Sequence, residues 1–160
     1  MTVQTTTNAM RLLTKAGVSF DTSEYPVDES DLSGVHAAQA LGVEPDRVFK
    51  TLVARGDKKG LSVFCIPVAE ELDLKKCAAV TGDKKIEMIH VRELLGLTGY
   101  IRGGCSPIGM KKKYPTYIDE TAQLFDTVYV SAGMRGRQLI LAPEDLRAFT
   151  QAQYADLTRR

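Results

Sequence analysis

The run Gly103-Gly104-Cys105-Ser106-Pro107-Ile108-Gly109, trailed by Lys111, Lys112 and Lys113, concentrates residue types that build a ligand-holding loop. Glycines and a proline at this density cannot continue a helix or a central strand. They specify a tight loop whose backbone reaches dihedrals closed to other residues and lets a ligand come close. Two adjacent glycines also leave their N–H groups unshielded, which suits a phosphate or a carbonyl oxygen that gains negative charge. The lysines add positive charge just beyond.

A second chemical signal lies upstream, in Arg47-Val48-Phe49-Lys50-Thr51-Leu52-Val53-Ala54. Read as a strand, its alternation sets Val48, Lys50, Leu52 and Ala54 on one face and Phe49, Thr51 and Val53 on the other. Lys50 thus stands among apolar neighbours, where an ammonium is expensive unless a partner or substrate needs it. The same letters also fit a lysine snorkelling from a strand end. The remaining inventory is thin. His36 and His90 are the only histidines, and no paired-carboxylate, HExxH or Walker pattern occurs. Cys105 has no activating neighbour in sequence and reads as a loop-lining residue, and Ser106 as a hydrogen-bonding one.

Phe49-Lys50-Thr51-Leu52, Gly99-Tyr100 with the glycine loop, and Val130-Ser131-Ala132-Gly133 leading into Arg135-Gly136 together resemble the YbaK/EbsC family of aminoacyl-tRNA deacylases. Order and spacing match along nearly the whole chain, as far as Ala142-Pro143-Glu144-Asp145-Leu146. Within that family the nearest likeness is to the free-standing enzymes that clear cysteine wrongly attached to proline tRNA. The resemblance implies a substrate that brings its own nucleophile: the cysteine thiol attacks its ester carbonyl, closes a thiolactone and expels tRNA. It assigns the amides of Gly103 and Gly104 to the oxyanion or the terminal adenosine, and makes Lys50 a fixed charge holding the 3′-terminal phosphate or ribose. Tyr25, Phe49, Thr51, Cys105, Ser106, Pro107 and Gly109 line the substrate site in this reading. Lys111, Lys112 and Lys113 contact RNA phosphates.

The same resemblance implies the 3′ end of an aminoacylated tRNA as partner, a transient complex with prolyl-tRNA synthetase, and no cofactor or metal. Two departures bear on the amino acid removed. An aromatic residue is expected where Ser33 stands, and an acid where Gln138 stands. Alternatives are a water-using deacylase of alanine or another small residue, and a non-catalytic binder of aminoacylated ligands.

The whole chain is consistent with one domain over 1–160. Its 160 residues, 44% hydrophobic and 26% charged, are those of a soluble globular protein. A net charge of +1 and the lack of a helix-turn-helix pattern argue against DNA. No apolar run is long enough for a membrane span, and the first eight residues show no signal peptide. Cys65, Cys77 and Cys105 are scattered and odd in number, which points to neither disulfides nor zinc and to a reducing cytoplasm.

The elements that must position these residues follow from caps and periodicity. Thr7 or Asn8 caps a helix ending at Gly17, Val18–Tyr25 is a strand, and Ser33 caps a short helix closed by Gly42. Val48–Ala54 and Leu61–Val68 form a hairpin, Glu70–Ala79 a helix with acids at its start, and Val91–Leu95 a short helix. Strands are expected at Tyr114–Asp119, Thr127–Ser131 and Gln138–Leu141, and a closing helix over Glu144–Tyr154. Short strands broken by short helices, without a βαβ rhythm, give an α+β fold with a central mixed, barrel-like sheet surrounded by short helices.

Overall fold

A computed structural model describes residues 6–159. Residues 1–5, on which the reading of the N-terminus mostly rests, lie outside the described residues, as does Arg160.

Side-chain N-caps start three of the five α-helices among the described residues. The Thr7 hydroxyl accepts from the Met10 N–H at 3.2 Å and opens α1 (Asn8–Lys15). Ser33 does the same for α2 (Gly34–Leu41), and Asp73 accepts from Lys75 and Lys76 to open α3 (Leu74–Thr81). Each cap satisfies N–H groups that have no partner within the helix. The expected helix from Glu70 therefore begins later than its composition implies, and Glu70 and Glu71 sit in the turn before it. α4 (Val91–Thr98) runs past the expected Leu95 to Gly99, whose φ of +86° ends it. α5 (Pro143–Thr150) stops at Gln151, the one non-glycine with positive φ among the described residues, so the closing helix is shorter than expected.

The strands are β1 (Asp21–Glu24), β2 (Phe49–Gly56), β3 (Gly60–Pro67), β4 (Ile86–Met88), β5 (Thr116–Asp119), β6 (Val128–Ser131), β7 (Arg137–Leu141) and β8 (Gln153–Ala155). A mixed five-stranded sheet has the order β4-β2-β3-β5-β8, antiparallel on the β4 side of β3 and parallel on the β5 side. A second, antiparallel sheet has the order β1-β7-β6. The bridge Val48–Tyr129 joins the two. The α+β architecture with a mixed sheet and short helices matches expectation, but the strands form two sheets and close no barrel among the described residues.

The β2–β3 hairpin separates two apolar cores because its side chains alternate. Phe49 and Cys65 enter one core with Leu13 of α1, Ile108, Leu139 and Leu146. Ala54, Phe64 and Ile66 enter the other with Cys77 of α3, Tyr117 and Leu157. There the rings of Phe64 and Tyr117 stack with centroids 5.5 Å apart. No helix among the described residues is long and apolar enough to cross a membrane.

Asp119 is a fully buried carboxylate at the end of β5. Its Oδ1 accepts from the Leu157 N–H at 3.0 Å, and its Oδ2 accepts from the Thr121 hydroxyl at 2.6 Å. It therefore ties the segment after β8 to the centre of the sheet. Asp119→Ala strands a buried N–H and is expected to lower stability by on the order of 3 kcal/mol. Urea unfolding measures this, and a loss near zero contradicts the tie.

Candidate active site

A cleft of about 390 Å³ opens between β2, the start of α2, the β4–α4 connection and the glycine loop. Of the residues anticipated from sequence, it brings together Tyr25, Phe49, Lys50, Thr51, Gly103 and Cys105. Lys50 alternates with Leu52 along β2 and lies opposite Ile66 in register. Burial pushes its pKa below the ordinary lysine value, while Glu71 and Glu70 pull the other way. The ammonium is thus less well solvated than in water, which is the condition in which an anionic ligand gains most from it.

The glycine loop has two faces, and only one looks into the cleft. Gly103 (φ +85°) lines it. The Gly104 N–H donates to the Ile101 carbonyl at 2.9 Å, so that amide closes a turn and does not face an oxyanion as expected. Gly104 is required for a different reason. A Cβ there would lie 3.1 Å from the backbone of both Met134 and Arg135, so the loop meets the β6–β7 turn main chain to main chain. Arg135 Nε donates to the Arg102 carbonyl at 2.9 Å across the same seam.

Ser106, Pro107 and Gly109 do not line the cleft. Ser106 is fully buried and its Oγ accepts from the Ile108 N–H at 3.2 Å. Pro107 and Gly109 border a separate hollow of about 220 Å³, together with Lys112, Lys113, Tyr114 and Phe149. Lys111 is exposed, with its stem beside Gly99. The three lysines therefore stand outside the cleft.

Several cleft residues had no local signal: Arg102, and the apolar wall of Met88, Ile89, Val91 and Leu94. They come from β4 and from segments that only tertiary packing brings near Lys50. Ser33 and Gln138, the two departures from the family pattern, both line the cleft. The Ser33 hydroxyl is engaged in capping α2. Gln138 is only 6% exposed, and its Oε1 has no hydrogen-bond partner among the described residues.

Neither histidine lines the cleft. His36 lies 3.9 Å from Asp31 Oδ2, and the His90 N–H donates to Glu93 Oε2 at 3.0 Å at the start of α4. Burial pushes the Cys105 thiol up to about 12, so it is protonated near neutral pH. No group of His, Cys, Asp or Glu that could hold a metal occurs among the described residues. The cleft offers Lys50, hydrogen-bonding groups and an apolar wall, and no His, Asp or Glu is among its described lining residues.

Comparison with known proteins agrees with this geometry. Residues 32–149 match the aminoacyl-tRNA editing domain, and the chain belongs to that family. It is 49% identical to EbsC of Enterococcus faecalis, named as a candidate Cys-tRNA(Pro)/Cys-tRNA(Cys) deacylase, over 98% of this chain and 96% of that protein. It is similar to a crystal structure of a candidate trans-editing enzyme for prolyl tRNA synthetase, with a TM-score of 0.82 and 30% identity over 96% of this chain and 99% of the other. It also matches a proline–tRNA ligase of Shouchella clausii, at 31% identity over 62% of this chain but 17% of the ligase.

The three thiols are buried, and each is pushed up to about 12, Cys65 and Cys77 like Cys105. A thiol-specific reagent at neutral pH is therefore expected to label the native protein far more slowly than the urea-unfolded one, because the thiolate is the reactive form. Rapid native labelling of Cys105 contradicts this environment.

Proposed function

We propose that this protein is a free-standing deacylase that removes cysteine misattached to proline tRNA by substrate-assisted cyclisation. The observation that carries the reading is the cleft itself, which joins a desolvated lysine to hydrogen-bonding groups, has no His, Asp or Glu among its described lining residues, and holds its one thiol, Cys105, protonated. Such a site accelerates ester cleavage when the substrate supplies the nucleophile and the protein folds it, excludes water and fixes charge. The cysteine thiol attacks the ester carbonyl carbon, a small thiolactone forms, and the ribose oxygen of the tRNA leaves. Formally the enzyme is a hydrolase or a lyase according to the product released.

Lys50 holds the terminal phosphate or ribose, and the Gly103 amide faces the developing oxyanion. Tyr25, Phe49 and Thr51 enclose the aminoacyl group. The likeness to EbsC over nearly the whole of both chains supports cysteine as the residue removed. The partial match to a proline–tRNA ligase, and the likeness to a candidate trans-editing enzyme, support transient recruitment by the synthetase in the cytoplasm.

The test is deacylation of proline tRNA charged with cysteine, alanine or serine. Cysteine release is expected, with serine far slower because a hydroxyl is a much poorer nucleophile than a thiol near neutral pH. Lys50→Ala should lower kcat/KM by roughly 10²-fold, the scale of losing a contact that positions the reacting ester. Equal rates on seryl and cysteinyl esters overturn the thiol mechanism, and alanine release moves the reading to attack by water.

Lys111, Lys112 and Lys113, on the outer side of the glycine loop, take the RNA backbone in this reading. Reversing the charge of Lys112 and Lys113 should weaken tRNA binding and flatten its salt dependence, since each phosphate contact releases about one counterion. An unchanged salt slope removes these lysines from the interface.

A further inference from the structure

Among the described residues, Gln138 carries the one buried side-chain polar atom of the cleft wall that has no hydrogen-bond partner. It sits on β7 between Ser23 of β1 and Ser131 of β6 in register, neither of them ionisable. Its Oε1 is buried and unpartnered, and its side chain lines the cleft. A buried carbonyl oxygen without a donor is a cost to the folded chain, so packing alone does not account for it. An N–H donor on the bound molecule does.

The surrounding charges say what kind of donor fits. Among the described residues lining the cleft there is no Asp, Glu or His. Lys50 faces it from β2, Arg102 from the segment before the glycine loop, and Tyr25 and Cys105 are the other titratable groups on the wall. The α2 side contributes Ser33, Gly34 and Ala37, and the β4–α4 side is apolar. Next to Gln138 along β7, the Arg137 guanidinium lies 3.2 Å from Glu24 Oε1. Glu70 and Glu71 act on Lys50 from the turn before α3 but do not line the cleft. A second positive charge on the cleft wall would therefore meet two cations and no lining carboxylate, whereas a neutral amine would meet an amide oxygen.

We propose that Gln138 receives the α-amino group of the bound aminoacyl ester as a neutral amine, and that this amine takes the proton from the substrate thiol. The proposal rests on the cysteinyl-tRNA deacylase reading and supplies a base to a cleft wall that has no His, Asp or Glu among the described residues. A free α-amino group titrates near 8, and both burial and nearby cations favour its uncharged form, so its lone pair is available close to neutral pH. A base that titrates near the working pH is well matched to proton transfer.

The step balances within the substrate. The S–H proton moves to the amine as sulfur bonds to the ester carbonyl carbon, and the carbonyl electron pair moves to oxygen. The tetrahedral intermediate collapses, the bond to the ribose oxygen breaks, and that oxygen takes the proton back from the ammonium. The products are an amino-thiolactone and tRNA with a free terminal hydroxyl, with no further reactant consumed. Gln138 acts by holding the amine within reach of the sulfur without protonating it. A carboxylate at the same position would stabilise the ammonium and withdraw that lone pair.

The test compares two esters of proline tRNA: cysteinyl, and 3-mercaptopropionyl, which keeps the thiol but lacks the amine. Wild type is expected to cleave the cysteinyl ester at least about 100-fold faster, the lower end of general-base contributions. Gln138→Met should lose on the order of 10-fold in kcat/KM on the cysteinyl ester, in line with one lost hydrogen bond, and nothing on the other. Its Tm should stay level or rise, because no internal bond is broken. Gln138→Glu should move the rising limb of the cysteinyl pH–rate profile to higher pH by about one unit, the effect of an opposite charge beside the amine. Equal cleavage of both esters by wild type, or an unshifted profile in Gln138→Glu, overturns the proposal and leaves the deacylase reading standing. A wild type that cleaves neither ester overturns that reading, and the proposal with it.

Discussion

The Tyr100 ring occupies the space between the glycine loop and the β6–β7 turn, and both are shaped around it. Its hydroxyl donates to the Ile108 carbonyl, which folds the loop back on itself. A Cβ at Gly109 would lie 2.9 Å from that hydroxyl oxygen, and one at Gly133 would lie 3.0 Å from the ring. Burial raises the Tyr100 pKa, so the hydroxyl remains a donor throughout the neutral range. Together with the Gly104 contact to Met134 and Arg135, this packing makes one wall from two loops. The wall then presents Gly103 and Cys105 from one loop, and Gln138 from the strand after the other. Its glycines answer chiefly to the ring and to the neighbouring backbone.

Opposite this wall the cleft carries its charge at a cost to the fold. A lysine whose pKa is depressed by burial destabilises the native state while it is protonated, and the penalty is relieved only as pH rises through its lowered pKa. Glu70 and Glu71 offset part of it from the turn before α3. That turn is held by the C-terminal segment: Thr158 bridges Leu72, and the Arg159 N–H donates to the Glu71 carbonyl at 3.0 Å. The electrostatics of the site thus depend on residues that do not line the cleft. Local stability is given up at Lys50 and at Gln138 alike, the pattern expected where a surface is built for a ligand.

Much of this was legible in the residues. The caps at Thr7 and Ser33, the αL glycine after α2 and the β2–β3 hairpin were all visible, because each is decided within a few residues. Lys50 was found by strand alternation for the same reason. The strands β4 and β8 were not visible, since three-residue segments carry no period and exist only because a longer strand accepts them. The α3 start was misplaced because two acids look like a first turn, whereas the Asp73 side chain selects the N–H groups it caps. The end of α5 was hidden because Gln151 takes a left-handed conformation that usually marks glycine. In the site, a run of seven residues was read as one lining, although a loop wall has an inner and an outer face. Met88, Leu94 and Arg102 had no signal, since nothing short-range ties them to Lys50.

The β1–β7 ladder joins a strand near the start of the chain to one near its end, Asp21 facing Ile140. Without β1 and β6 on either side of it, Gln138 has no sheet to hold it. Because loop closure must precede the reward of such a pairing, the smaller sheet belongs to the slow, non-local part of folding, while the β2–β3 hairpin closes on a short turn. During synthesis the nascent chain can form the hairpin bearing Lys50 long before the strand bearing Gln138 exists. The two halves of the site are therefore separated in time, and an incomplete chain cannot present the assembled cleft to charged tRNA.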